Sequence, residues 1–409
     1  MAETKNSGAE SELDGALRRL LAYCRRENWA GHDPYDALNS ALFRVLPILE
    51  AKIPRLVMTQ LLKRSPVNLR GLLAIPKTQN PKALALFLSS FLKMTAEELP
   101  DREELVRVMI QLIAAKRSAG SDYWCWGYSF AWQTRKEVVP AGTPNLVCTT
   151  FVAGALLDAY DQTGDAHCLE MAASAAGYIA NDLFWADASG LASFAYPTPT
   201  NGAQVHNANF LAAALLCRVY RHTREEKLLD RALKAARSSA SKQRQDGSWY
   251  YGEEVKQRWI DNFHTGYNLS GLRTIREQTG TREFDASIEE GLAFYKAHFI
   301  RDDGVARYFH DRTYPIDIHC VAQTILTLVE FQDAASDNLA LAEKVFDWAM
   351  RHMWDEGGYF YYRVLRGITI RTSYMRWSQA WMLLAMVSLK RAQQQGTEGA
   401  PVQAVSQPA

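Results

Sequence analysis

The 409-residue chain is short of strong signals. Lys and Arg number 46 against 45 Asp and Glu, a net charge of +1, so no global field draws it to nucleic acid. No stretch approaches the ~18 consecutive apolar residues that a membrane-spanning helix requires. The start, MAETKNSGAESELDGALRRLL, shows no basic leader followed by an apolar run, so no secretory signal is expected and a cytoplasmic setting is. The six cysteines form no CxxC pair, and several lie in apolar helical stretches, which points to reduced structural thiols. There is no Walker loop, no GxGxxG opening a helix after a strand and no GxSxG, which disfavours nucleotide hydrolysis and serine-hydrolase chemistry. No cofactor or metal is implied.

What the chain does contain is a repeat. Five segments, NLVCTTFVAGALLDAY, VHNANFLAAALLCRVY, DNFHTGYNLSGLRTI, DIHCVAQTILTL and MRWSQAWMLLAM, align at Cys148, His206, His264, His319 and Trp377, with spacings of 58, 58, 55 and 58 residues. A fixed period of this length marks one recurring supersecondary unit. Stepping back one period reaches Ser90, in a helix that opens near Pro81. Amphipathic stretches such as KLLDRALKAARSSASKQ and NLALAEKVFDWAMRHM alternate with the aligned runs. Six inner and six outer helices predict an all-α fold, an (α/α)6 toroid over residues 11–392, with PYDALNSALFRVLPILE as the outer helix that closes the ring. Residues 1–10 and 393–409 are small and polar, the latter with two prolines, and both are expected to be disordered. Asp-Gly turns with aromatic flanks (ADASGLASFAYP, RQDGSWYYGE, RDDGVARYFH, DEGGYFYYR) predict short β-hairpins crowning one rim.

The repeat sets the chemistry on that rim. Three histidines at equivalent slots of adjacent hairpins, His206, His264 and His319, could exchange protons with a ligand. Asp261 and Asp317 precede two of them; the pair could orient the histidines, hydrolyse a glycosidic bond themselves, or simply cap helices. Aromatic rings suit the faces of sugars, and Trp126, Trp132, Trp249, Tyr251, Tyr361 and Trp377 are candidates, although about half of the rim aromatics are expected to pack loops onto the barrel. Arg135, Arg307, Arg312 and Arg376 could hold a carboxylate, or could pair with neighbouring acids. Asp36 and Asn207 complete the candidate binding set. From Lys52 to Lys82 there are seven basic residues and no acidic one, amid LVMTQLL and GLLAI, so residues 52–82 could touch an anionic membrane or form a solvated face. No oligomeric state can be read.

The segments SFAWQTR, QVHNANFLAAALLCRVY, QDGSWYYGE, WIDNFHTGY, RYFHDRTYPIDIHCVAQ and YMRWSQAWM, with GHDPYD near the start, resemble the VpsJ-type bacterial polysaccharide-biosynthesis proteins over about residues 33–390. The resemblance implies an α/α toroid of the six-hairpin glycosidase-like superfamily and a role linked to exopolysaccharide or other surface glycans. Glycosidases, uronate lyases and sugar 2-epimerases share that toroid, the last with paired histidines, so histidine acid/base chemistry, paired-Asp hydrolysis and non-catalytic glycan binding all stay open. Gln243 to Trp249, QRQDGSW, also fits the QxxxGxW pattern of triterpene cyclases, which leaves a terpenoid-binding toroid as a further alternative.

Overall fold

Helix starts and stops in this chain carry ordinary local signals. Asn80, Asn145, Asp261 and Asp317 each accept a backbone N–H of the first helical turn through the side chain, and Pro81 follows Asn80 directly. Gly164 and Gly280 end two helices in the left-handed conformation, at φ +70° and +73°. In the computed structural model, residues 11–45, 51–134, 137–199 and 202–398 are described. The termini expected to be disordered, 1–10 and most of 393–409, lie outside them, as does Arg135. The last helix nonetheless runs to Glu398, past the boundary expected at 392.

The helices are α1 (Glu12–Arg26), α2 (Leu42–Val45), α3 (Lys52–Arg64), α4 (Pro81–Lys93), α5 (Arg102–Ala115), α6 (Leu146–Thr163), α7 (Ala166–Tyr178), α8 (His206–Thr223), α9 (Glu226–Ala240), α10 (Asn262–Thr279), α11 (Asp285–Phe299), α12 (Ile318–Glu330), α13 (Asn338–Met353) and α14 (Ala380–Glu398). Helices α4, α6, α8, α10, α12 and α14 pack in sequence, and α14 returns to α4, so the inner ring is closed. Each has an outer partner: α5 on α4, α7 on α6, α9 on α8, α11 on α10, α13 on α12 and α1 on α14. The architecture is the expected (α/α)6 toroid, with one correction. The ring is closed by α1, which buries Leu13, Leu17, Leu20, Leu21 and Cys24 at helical spacing; of the segment expected to close it, residues 34–45 are described and form no long helix. That segment instead holds a 3-10 turn, Asp36–Asn39, and the single-turn α2.

Inner helices are buried on most sides, as in α6, where Leu146, Cys148, Val152, Leu156 and Leu157 are all inaccessible or nearly so. Outer helices such as α9 bury one stripe, Leu228, Ala232, Ala235 and Ala236. All six cysteines are buried and unpaired. No helix among the described residues is long and apolar enough to cross a membrane.

The predicted hairpins occur where outer helices lead to inner ones, as Phe184–Ala186 with Ala192–Phe194 and Trp354–Asp355 with Tyr359–Phe360. Their turns do more than reverse the chain. A Cβ on Gly247, Gly304 or Gly358 would lie 2.4, 2.5 or 2.8 Å from the carbonyl oxygen of Glu290, Lys344 or Arg19, so each turn seats its backbone on the next outer helix. Gln243 adds bonds from Nε2 to the Gly247 and Ser287 carbonyls. The QxxxGxW pattern is therefore a staple between hairpins α8–α9 and α10–α11.

Candidate active site

The N-termini of the inner helices surround a cavity of about 350 Å³. Its wall follows a simple rule. Counting from each helix cap, the second residue faces inward, and in two cases the third does too: Lys82 from α4, Val147 from α6, Asn207 from α8, Phe263 and His264 from α10, His319 from α12, and Arg376 with Trp377 from the π-helical turn Met375–Gln379 that leads into α14. One turn deeper, Tyr267 forms part of the floor. Tyr35, Tyr128, Phe130, Trp132, Tyr196, Tyr251, Trp259, Tyr308 and Phe309, from the segments between hairpins, make an aromatic collar. Six helix N-termini directed at one space favour electron-rich or anionic groups there.

Asp261 and His264 form the dyad that their spacing suggested. The His264 Nδ1–H donates to Asp261 Oδ2 at 2.8 Å, and the His264 backbone N–H donates to Oδ1 at 3.1 Å. The Trp259 indole also donates to Oδ2, at 2.7 Å. Because a carboxylate only accepts, the pairing fixes the imidazole tautomer, with the proton on Nδ1 and the Nε2 lone pair without a partner among the described residues. Tyr251, stacked on Trp259 at 4.4 Å, supports the His264 ring at 4.6 Å.

His319 is almost inaccessible and packs between Phe263, Trp377 and Trp381. Burial, followed by the fields of Lys82, Arg376 and His264, holds its pKa well below the usual histidine value, so the ring is neutral. The Tyr267 hydroxyl lies 2.7 Å from Nε2, while Nδ1 is buried without a partner.

Two basic side chains share the cavity. Arg376 is held by a bidentate pair with Asp33, Nε to Oδ2 at 2.6 Å and Nη2 to Oδ1 at 2.9 Å, and is flanked by Tyr128 and Trp377. Its Nη1 makes no bond within the described residues. Lys82 is fully buried, with Nζ 3.8 Å from the Phe151 ring centre, 5.1 Å from Trp381 and 5.5 Å from Tyr267. No acid among the described residues pairs with it. Burial first, then Arg376, pushes its pKa well below that of a free lysine.

The remaining candidates fall elsewhere, for identifiable reasons. His206 is the first residue after its cap, about 100° round the helix from the inward positions, and it bonds Ser239 and Glu253 instead. Asn207 takes the inward place, with its Oδ1 unpartnered. Asp317 is buried and does not line the cavity. Its oxygens accept from the His319 N–H, the Trp377 indole and Arg363, so it cannot serve as a catalytic carboxylate, and it touches His319 only through the backbone. Asp36 holds the buried Arg70 at 2.8 Å and does not line the cavity. Trp126 and Trp249 are core residues whose indoles donate to the Ile113 and Ser239 carbonyls. Tyr361 lies against Tyr359 and Arg371, away from the cavity. Arg307 donates to the His298 carbonyl, and Arg312 pairs with Asp311 on the outer side of Phe309; neither lines the cavity. Arg135 lies outside the described residues. Of the predicted site, His264, His319, Asp261, Trp132, Asn207, Tyr251, Arg376 and Trp377 are brought together. Lys82 and Asp33 were missed.

No family model matches the sequence, and no curated protein is significantly similar to it. Solved structures with a similar fold include cellobiose 2-epimerase from Bacillus thermoamylovorans, 15% identical, covering 76% of this chain and 88% of that one with a TM-score of 0.59. An unsaturated glucuronyl hydrolase specific for heparin is 11% identical over 93% of this chain and 98% of that one, with a TM-score of 0.63. A D-mannose isomerase is 12% identical over 96% and 100% of the two chains, with a TM-score of 0.62. At these identities the likeness is one of fold, and the chain shares the (α/α)6 toroid of these structures.

Proposed function

We propose that the chain is a carbohydrate-active enzyme that moves a proton on a sugar bound in this cavity, as an epimerase or isomerase does. One observation carries the reading: an aromatic-collared cavity holds a His264–Asp261 dyad beside a neutral His319. In the reaction proposed, His264 Nε2 removes the proton from the carbon next to the sugar carbonyl, and Asp261 stabilises the imidazolium that results. His319, on the adjacent helix α12 and paired with the Tyr267 hydroxyl, would return or relay a proton. Lys82 Nζ and Arg376 Nη1 lack acceptors in the wall, which supports an anionic sugar, or the enediolate formed from a neutral one, as the group that fills them. Cellobiose 2-epimerase and D-mannose isomerase have a similar fold, with which this chemistry is compatible.

Hydrolysis by paired carboxylates is less well supported, since Asp317 is consumed by Arg363 and Trp377 and leaves Asp261 without a facing acid. A terpenoid ligand fits poorly with a wall bearing two histidines, a lysine and an arginine. A place in surface-glycan biosynthesis rests on the VpsJ-type resemblance. The test is turnover of free reducing sugars and uronates, followed by NMR, with wild type, His264→Gln and His319→Gln. Conversion that both substitutions abolish supports the reading. Sugar binding without conversion by the wild type would make the protein a glycan-binding module.

A further inference from the structure

One surface of the molecule is not accounted for by the cavity chemistry. Ten large hydrophobic side chains are exposed among the described residues, and seven of them fall between residues 53 and 72: Ile53, Leu56, Val57, Leu61, Val67, Leu69 and Leu72. Ile53, Leu56, Val57 and Leu61 follow helical spacing on the outward face of α3, whose opposite side buries Leu62 against Ala37 and Ile75. Exposure reaches 73% at Ile53 and 83% at Leu72, far beyond the scattered partial exposure of apolar residues on an ordinary surface. The same segment has basic residues and no acidic one from Lys52 to Lys82.

The segment is tied to the cavity wall by buried polar contacts. Arg70 bonds Asp36 and the Asp33 carbonyl, and Asp33 in turn grips Arg376 in the cavity wall. Lys63 donates to the Tyr35 hydroxyl at 2.7 Å and lies 4.3 Å from the centre of that ring. Tyr35 lines the cavity and meets Trp377 edge-on. α3 also packs on the strand carrying Trp132, another lining residue. The segment that bears the apolar, basic face is therefore packed directly against residues of the cavity wall.

We propose that α3 and the following loop to Leu72 dock the protein on an anionic lipid surface, setting the cavity mouth at the bilayer. Apolar side chains would enter the interface while Lys52, Arg55 and Arg64 meet lipid phosphates. A second copy of the chain is the weaker occupant, because a two-fold interface lays this patch on itself and opposes like charges. Resting on the reading of the cavity given above, the substrate is then a saccharide carried on a lipid, or one handled where lipid carriers are.

The test is co-sedimentation of the full chain with vesicles of phosphatidylcholine containing a third phosphatidylglycerol, against phosphatidylcholine alone. The expected result is binding to the anionic vesicles only, weakened at least tenfold by Ile53→Asp with Leu61→Asp and Leu72→Asp, and likewise by Lys52→Glu with Arg55→Glu and Arg64→Glu. Circular dichroism would confirm that both variants fold, and turnover of a soluble sugar should be unchanged in them. Absence of binding at low salt, or binding that neither variant weakens, overturns the proposal. So does a dimer in analytical ultracentrifugation that the aspartate variant dissociates, which would assign the face to self-association. Vesicle binding by a protein that turns over no sugar would overturn the cavity reading alone.

Discussion

Lys82→Met separates stability from function at one residue. The amine is buried, has no carboxylate partner, and is compensated only by three rings 3.8–5.5 Å away. A buried polar group without hydrogen bonds costs about 2–7 kcal/mol by transfer, and each desolvated cation–π contact returns about 0.5–2 kcal/mol. Methionine keeps most of the volume, so the variant is expected to be more stable at pH 7 by about 1–3 kcal/mol, within the range seen when buried ionic groups give way to packed apolar ones. The pH dependence follows from linkage. The folded pKa lies below the unfolded value of 10.5, so between the two the unfolded chain binds the extra proton and wild-type stability rises with pH. Urea denaturation of both proteins from pH 7 to 9.5 should show the variant's advantage shrinking as pH rises. The same variant should lose at least tenfold in sugar turnover if Lys82 faces the reacting oxygens. A variant that is less stable at pH 7, with a difference independent of pH, would refute the reasoning.

Asp261→Asn should leave the fold intact with a loss of about 1–2 kcal/mol, since Asn still caps α10, and should lower kcat by about 10²–10³ with little change in KM, measured by steady-state kinetics. Glu330, at the opposite end of the toroid beside Ser270, has its carboxyl pushed up to about 7 by burial. Between about 4.5 and 7 the folded state holds the extra proton, so this group's contribution to stability falls as pH rises, and Glu330→Gln should flatten that slope in denaturation curves at pH 5 and 8. Arg224 ends α8 in the left-handed conformation at φ +58°, where α6 and α10 use Gly164 and Gly280. Arg224→Gly should stabilise by about 0.5–1 kcal/mol without altering turnover, as read by thermal denaturation.

The repeat made the rim legible, and its failures are local. His264 and His319 were found because their helices keep the period and place them three and two residues after a cap. His206 was misassigned because its helix cap, Val205, lies only one residue before it, a shift that alignment of apolar runs does not register. Lys82 was missed because Asn80 and Asn145 are 65 residues apart, longer than the period, so stepping back landed on Ser90, in mid-helix and bonded to the Leu86 carbonyl. The Asp33–Arg376 pair spans 343 positions and leaves no local trace in the sequence. Asp317 illustrates the remaining ambiguity: a carboxylate two residues before a histidine reads alike whether it faces a ligand or an arginine, and Arg363 decides it.

The central claim, proton transfer by His264 on a sugar in the cavity, is tested most directly by incubation with reducing sugars or uronates in heavy water. The account predicts solvent deuterium at the carbon next to the carbonyl, detected by NMR, with no new reducing ends, and its loss in His264→Gln. New saturated reducing ends without deuterium at carbon would contradict it and return the chemistry to hydrolysis.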